Sequence, residues 1–242
     1  GNLPVAANMI GEDGLFGVLY KAGISNELFP LLIFLGVGAM LDLRPLLSQP
    51  IMFVMGALAH LGIFATLILA LVLGFNLAEA TAIGMIGAID GPTVIYVNGK
   101  LGSLFETPGL AAAIAVTAYS YMSLVPIIQP PLMRLFTTKA ERKIHMEYTP
   151  RPVSKMTVIL FPIILTAIAG IFLPEAAPLI ATLMLGNLLK ESEVVQGLTE
   201  TAKSAITNTA TIFLGITIGS TMQASQFLNT GTLRVLILGL VA

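Results

Sequence analysis

One acidic residue lies inside an apolar segment, directly before residues that interrupt helices. Asp90 is the only charged residue in 80–99, and Gly91, Pro92 and Thr93 follow it. Proline removes a backbone donor and clashes with the preceding turn, and glycine tolerates the kink that results. A helix broken at membrane depth persists only where its backbone is buried or lines a polar cavity.

This segment offers oxygen ligands for a cation. The Asp90 carboxylate, the Thr93 hydroxyl and backbone oxygens freed around Gly91 are hard ligands, which suit a small ion such as sodium. We therefore predict a sodium site at Asp90, Gly91 and Thr93. The alternative is a proline-kinked helix in which Asp90 only caps the second half.

Two tyrosines follow in another apolar segment. Tyr119 and Tyr121 are about 200° apart around a helix, so at most one is expected to face a site with Asp90. Their positions leave open a simple hydrogen bond to a neighbouring backbone group. His60 is expected to be a hydrogen-bonded packing residue, while Asn187 and Asn208 are either links between helices or further ligands.

The composition places these polar residues in a membrane protein. The 242 residues are 56% hydrophobic and 10% charged, whereas a soluble domain is about 25% charged. The low charge excludes an ordinary soluble enzyme, and a net charge of −1 excludes a nucleic-acid-binding protein. Without cysteine, the chain has no disulfide, thiol nucleophile or thiolate metal site.

Long uncharged runs predict membrane helices, because about 20 apolar residues cross a hydrocarbon layer of ~30 Å. The helices are predicted near 28–41, 51–74, 109–133, 156–173, 177–189, 204–219 and 231–242. The helix at 177–189 is short for a full span and is expected to be buried within the protein. The fold class predicted is an all-α polytopic membrane protein with a broken or re-entrant helix at 80–98.

One loop is strongly basic. Residues 134–155 hold six of the twelve lysines and arginines, so the positive-inside rule predicts that this loop is cytoplasmic. It serves either as a topology anchor only or also as a docking surface for a cytoplasmic partner.

A short motif occurs twice. Ile-Phe-Leu-Gly is found at 33–36 and at 212–215, as expected for a transporter with internal, inverted repeats; chance similarity between apolar segments is the alternative. The first repeat is predicted over about 28–133 and the start of a second over about 204–242. The counterpart of Asp90 would then lie near position 271, and the chain is expected to be a fragment without the rest of the second repeat.

Five runs of sequence carry a resemblance to a known family. They are GAIDGPTVIYVNGKL, AYSYMSLVPIIQPPLMRLFTTKAERKIHM, RPVSKMTVILFP, AAPLIATLMLGNLLKES and TIFLGITIGS. From about residue 28 onward the chain resembles the beta subunit of the biotin-dependent sodium-pumping decarboxylases, and the five runs follow one another in the same order as in that family. That family comprises the oxaloacetate, methylmalonyl-CoA and glutaconyl-CoA decarboxylases.

The resemblance implies an activity and partners. A biotin-carrying carboxyltransferase alpha subunit would supply carboxybiotin, which this chain would decarboxylate while exporting Na+ and consuming a proton. A small gamma or delta membrane subunit, further beta subunits and the lipid bilayer of the inner membrane are the other partners implied. The family's essential intramembrane aspartate falls on Asp90, and its functional tyrosine falls on Tyr121.

The chain also departs from the family. The usual Gly-Gly-Ala-Asp becomes Gly87-Ala88-Ile89-Asp90, so the bulkier Ile89 is expected to narrow the site. The family's second motif, an Asn-Pro break followed by glycine, serine and arginine, is not found in these residues. An arginine that binds the carboxyl group of carboxybiotin is therefore expected from the missing part of the second repeat. Because half of the ligands would lie there, this chain alone is expected to bind sodium weakly.

Topology and a rival function complete the sequence-based predictions. If 134–155 is cytoplasmic and the repeats are inverted, 80–107 must enter and leave on one face as a hairpin whose tip is Asp90-Gly91-Pro92. If 80–98 crosses fully, the two copies of the Ile-Phe-Leu-Gly motif run parallel instead.

The rival function is a secondary sodium-linked transporter, either a Na+/H+ antiporter or a carboxylate carrier, which would use the same broken helix without covalent chemistry.

Overall fold

The structure, a computed structural model, describes residues 14–49, 51–145, 152–221 and 230–241, and its regular elements in these ranges are all helical. The first seven helices are α1 (Leu15–Leu19, continued as a π-helix over Tyr20–Ser25), α2 (Leu28–Met40), α3 (Arg44–Ser48), α4 (Ile51–Ala59), α5 (Leu61–Val72), α6 (Leu77–Gly84, continued as a 3-10 turn over Met85–Ala88) and α7 (Gly91–Leu101). The others are α8 (Leu110–Phe136), α9 (Lys155–Phe172), α10 (Ala177–Ser192), α11 (Gln196–Thr201, continued as a π-helix over Ala202–Ile206), α12 (Thr207–Thr221) and α13 (Thr230–Val241). The all-α prediction is confirmed.

The predicted helices match unevenly. Six of them correspond to α2, α8, α9, α10, α12 and α13. The predicted helix over 51–74 corresponds to Ile51–Val72, which is apolar and long enough to cross a membrane, although its regular helical structure is interrupted at His60, between α4 and α5. Helix α8 continues to Phe136, so the first three residues of the predicted basic loop 134–155 are helical. Helices α1, α3 and α11 were not predicted.

Within the described residues, two helical segments are long and apolar enough to cross a membrane. These are Ile51–Val72, formed by α4 and α5, and α9; two bent pairs would bring the number to four if each is one span. One bent pair is α1 with α2, and the other is the two halves of α8, which meet at 60° after Met122. Pro126 explains the second bend, because its ring clashes with the Met122 carbonyl and it has no N–H to donate.

One end of the bundle, here called the basic end, brings together the ends of α2 and α10 and the start of α9. Arg44 pairs with the buried Glu191, with 2.5 Å between Nη2 and Oε2. Lys155 Nζ donates to Glu193 Oε2 at 2.6 Å, and this hydrogen bond lowers the pKa of the exposed Glu193 carboxyl.

The opposite, acidic end joins the end of α7 to two neighbouring turns. Lys100 Nζ lies 3.2 Å from Glu27 Oε1 and 3.6 Å from Glu175 Oε2. The Tyr96 hydroxyl donates to the Glu175 carbonyl oxygen at 2.6 Å. The bend before α2 and the turn between α9 and α10 therefore meet here.

Helix α2 is the centre of the packing. It runs parallel to α10, and the backbones approach so closely that a Cβ on Gly186 would lie 1.9 Å from the Leu35 carbonyl oxygen. It runs antiparallel to α12, because Phe29 stacks on Phe213 with centroids 6.0 Å apart while Gly36 contacts Thr207. The two Ile-Phe-Leu-Gly copies thus run in opposite directions, as inverted repeats require; the repeat itself stays a prediction.

Candidate functional site

The segment that carries Asp90 is a helical hairpin. Helix α6 and its 3-10 turn form the first arm, and α7 forms the second. Hydrogen bonds close its base: Asn76 Nδ2 donates to the Leu104 carbonyl at 3.0 Å, and the Glu79 carboxylate accepts from the backbone N–H groups of Glu106 and Thr107. The chain therefore returns to the end where it entered, and the geometry agrees with the predicted hairpin.

The tip of the hairpin is the predicted break. Ile89 has a φ of 54°, in the left-handed region, and Asp90 is extended and occupies the N-cap position of α7. Pro92 fits in the first turn of α7, where its missing N–H would have no helical partner. The eleven residues of α7 rise about 16 Å, roughly half of a ~30 Å hydrocarbon layer. Asp90 is thus held about midway along the bundle.

The side chain of Asp90 is bonded to that of Thr93. The Thr93 hydroxyl donates a short hydrogen bond to Asp90 Oδ2. Asp90 and Thr93 are each partly buried, and Gly91 between them is buried. Two of the three predicted ligand groups, the carboxylate and the hydroxyl, are therefore brought together at the tip.

The two tyrosines leave α8 on different sides. The Tyr119 ring packs on Gly91, where a Cβ would lie 2.4 Å from its Cζ. The Tyr121 hydroxyl instead donates to the Leu236 carbonyl of α13 at 2.7 Å. Tyr119 is therefore the tyrosine that packs on the residue next to Asp90, whereas Tyr121, to which the family resemblance points, packs against the apolar cluster that includes Ile86.

Two cavities lie on either side of the hairpin tip. The Asp90 and Thr93 side chains line one of about 450 Å³, together with Thr81 and His60. Tyr121 lines the other, of about 580 Å³, which is largely apolar and extends along α8 to Thr137; the remaining lining residues include Gly87, Ile89 and Gln129. Residues of the tip alternate between the two cavities, since Gly87 and Ile89 line the second one while Ala88 and Asp90 line the first.

The remaining sequence candidates have structural roles or lie apart. Asn187 is fully buried and donates to the Leu41 carbonyl at 3.1 Å, so it links α10 to α2. Asn208 is exposed. His60 is exposed too, and its Nδ1 lies 2.7 Å from the Gly56 carbonyl oxygen. No group of three histidine or acidic side chains converges within the described ranges.

Sequence reasoning missed Glu79. It is 3% exposed, and with Asn76 it forms a capping box in which each side chain accepts the other's backbone N–H. The spacing Asn-x-x-Glu before an apolar run is a known signal for this motif and could have identified it.

Fold and site together define a multi-pass helical membrane protein with a carboxylate at a broken hairpin. Residues 1–242 match the family described as the Na+-transporting oxaloacetate decarboxylase beta subunit. The chain belongs to this family, which confirms the resemblance noted from the motifs.

Curated relatives span three decarboxylases. The chain is 47% identical to the oxaloacetate decarboxylase beta chain of Klebsiella pneumoniae, over 98% of this chain and 55% of that protein. It is 50% identical to the methylmalonyl-CoA decarboxylase subunit beta of Veillonella parvula, over 96% of this chain and 60% of that protein. It is 49% identical to the glutaconyl-CoA decarboxylase subunit beta of Acidaminococcus fermentans, over 93% of this chain and 58% of that protein. The chain thus spans little more than half the length of these relatives.

Proposed function

We propose that this chain is part of the membrane subunit of a sodium-pumping, biotin-dependent decarboxylase. In this proposal the subunit decarboxylates carboxybiotin and couples the reaction to Na+ export with consumption of a proton. The observation that carries the proposal is the Asp90 carboxylate, bonded to Thr93 at the tip of a broken hairpin in a chain of this family. The named relatives are decarboxylase chains, which gives no support to the rival carrier function.

Asp90 is the group at which sodium and a proton would compete. An apolar setting disfavours a bare carboxylate, whereas a bound cation or a proton removes that penalty. Sodium would be held by the Asp90 carboxylate, the Thr93 hydroxyl and a backbone oxygen near Gly91, all hard ligands. Binding of one ion therefore opposes binding of the other, which is the basis for exchange.

The decarboxylation of carboxybiotin consumes a proton. When the bond between the carboxyl carbon and the ureido nitrogen breaks, CO2 leaves and the electron pair stays on the nitrogen, which then takes up a proton. Tyr121 lines the larger cavity and Asp90 lies across the hairpin tip from it, so either could relay this proton. Moving one charge outward against 100 mV costs about 2.3 kcal/mol, and a decarboxylation worth several kcal/mol can drive one or two ions.

The partners and the orientation follow the same proposal. A biotin-carrying alpha subunit would dock at the basic end, near the loop 134–155, and a gamma or delta subunit and further beta subunits would complete the complex. The basic end faces the cytoplasm of an inner membrane, since lysines and arginines cluster there. The acyl substrate would be chosen by the alpha subunit.

The test is Asp90→Asn in the full-length subunit within its complex. We expect sodium-dependent decarboxylation to be abolished while the subunit remains inserted, because an amide cannot exchange a proton for a cation. Asp42→Asn is the matched control, since Asp42 is exposed near the basic end, and it should pump normally. An Asp90→Asn complex that pumps with normal sodium dependence would refute the site.

A further inference from the structure

The base of the hairpin contains a buried carboxylate that the proposed reaction does not use. Glu79 accepts two backbone hydrogen bonds through Oε1, from Glu106 at 3.0 Å and from Thr107 at 2.7 Å. Through Oε2 it accepts a third from Asn76 at 3.1 Å. A carboxylate removed from water in this way is stable only because these donors satisfy it.

The bonds from Glu106 and Thr107 join the two ends of the hairpin, which are far apart along the chain. Glu79 and Asn76 lie at the start of the first arm, while Glu106 and Thr107 follow the second arm. Each arm has only eleven or twelve helical residues, and helices shorter than about 12–15 residues are marginal on their own. The relative position of the two arms therefore depends on contacts, and at their base the bonds to Glu79 act together with the bond from Asn76 to the Leu104 carbonyl.

From this geometry we infer that Glu79 is a positioning residue for the ion site, a role that rests on the proposed function. By fixing the two arms against each other, it holds the break at the tip in the conformation that presents Asp90 and Thr93 together. It touches neither the ion nor the substrate.

A loss of these bonds should affect sodium binding more than folding. Residues of both arms, such as Ile83 and Val94, pack in one apolar cluster with Leu110 and Ile114 of α8, and Glu79 is not part of this cluster. The hairpin would therefore remain in place but sample other arrangements of its tip. When only a fraction of molecules is competent to bind, the apparent dissociation constant rises by the inverse of that fraction.

The experiment measures decarboxylation rate against Na+ concentration in the complete complex. We expect Glu79→Ala to raise the Na+ concentration for half-maximal rate about tenfold, with a maximal rate per inserted subunit close to that of the unmodified complex. Glu79→Gln keeps an oxygen for Glu106 and Thr107, so its shift should be smaller. Glu106→Gln is the matched control, because Glu106 is exposed and contributes only its backbone N–H, and it should cause no shift.

The outcomes separate positioning from folding. A lower maximal rate with an unchanged sodium midpoint in Glu79→Ala, or failure of both Glu79 variants to insert, would overturn the inference, since Glu79 would then serve folding alone. A complex without any sodium dependence would instead contradict the proposed function. If Asp90→Asn abolishes activity and Glu79→Ala leaves the midpoint unchanged, only the positioning role is lost.

Discussion

The Tyr119 ring lies directly against Gly91, so that a Cβ on this glycine would come within 2.4 Å of the ring. The contact joins α8 to the first residue of α7, next to the carboxylate of Asp90. Only glycine fits at position 91, because the Tyr119 ring already occupies the place of a Cβ atom. The conformation of the hairpin tip and the packing of α8 are coupled at this point.

Gly91→Ala should disturb the tip. The added methyl group must displace the Tyr119 ring, and overpacking of this kind costs about 1–3 kcal/mol. We expect a lower thermal unfolding midpoint for the purified complex and weaker sodium dependence. Gly102→Ala is the control, since nothing lies within 4 Å of its Cβ position; equal losses in the two variants would show that the ring contact is unimportant.

Tyr121→Phe and Tyr119→Phe should differ in their effects. Tyr121→Phe removes the hydrogen bond to the Leu236 carbonyl and the hydroxyl proposed to relay a proton, so we expect slower turnover or a shifted pH optimum. Tyr119→Phe keeps the ring that packs on Gly91 and should be milder. The pH dependence of the decarboxylation rate measures both, and equal profiles would show that Tyr121 has no special role.

The hairpin could be predicted because its signals are local. An isolated carboxylate before Gly91-Pro92 marks the break, and the charge-free runs mark most of the long helices. The closing bonds at its base could not be derived from that pattern, because Glu79 meets Glu106 and Thr107 only after the chain has folded back. For the same reason the motif order could not show that Tyr119, and not Tyr121, packs on Gly91.

Other differences have equally physical causes. The interruption at His60 has no proline or glycine signal at that residue, and its imidazole bonds the Gly56 carbonyl in the preceding turn. The short helices α3 and α11 lie near the charged basic end. They were not predicted because the prediction relied on long runs of apolar residues without charge. Hydrophobicity predicts depth in a membrane but not the local hydrogen bonding that starts or stops a helix.

Gly186→Ala should destabilise the centre of the bundle. Its Cβ would lie 1.9 Å from the Leu35 carbonyl oxygen, a backbone atom, so the two helices must separate. We expect a loss of at least about 1–3 kcal/mol, as for other overpacked cores, visible as a lower unfolding midpoint in detergent. Gly170→Ala on α9 has nothing within 4 Å and should be neutral or slightly stabilising; an unaffected Gly186→Ala would contradict the close packing of α2 on α10.

Topology is best tested with single cysteines, because the chain has none of its own. In the full-length subunit, with any cysteines outside these residues replaced, Leu73→Cys and Glu106→Cys lie before and after the hairpin. Its base is closed by the bond from Asn76 to Leu104, so a membrane-impermeant thiol reagent should reach both from the same, external face. Labelling from opposite faces would mean that 80–98 crosses the membrane.

Lys139→Cys gives the complementary result. Helix α8 starts at the hairpin base and passes the tip at Tyr119, so we expect residue 139 at the other end of the bundle. The reagent should therefore label Lys139→Cys only in inside-out vesicles, together with Asp42→Cys from the turn after α2. If instead the external reagent reached Lys139 and missed Glu106, the hairpin would stand but the whole subunit would be inverted. The proposed orientation, with the basic end in the cytoplasm, would then be wrong.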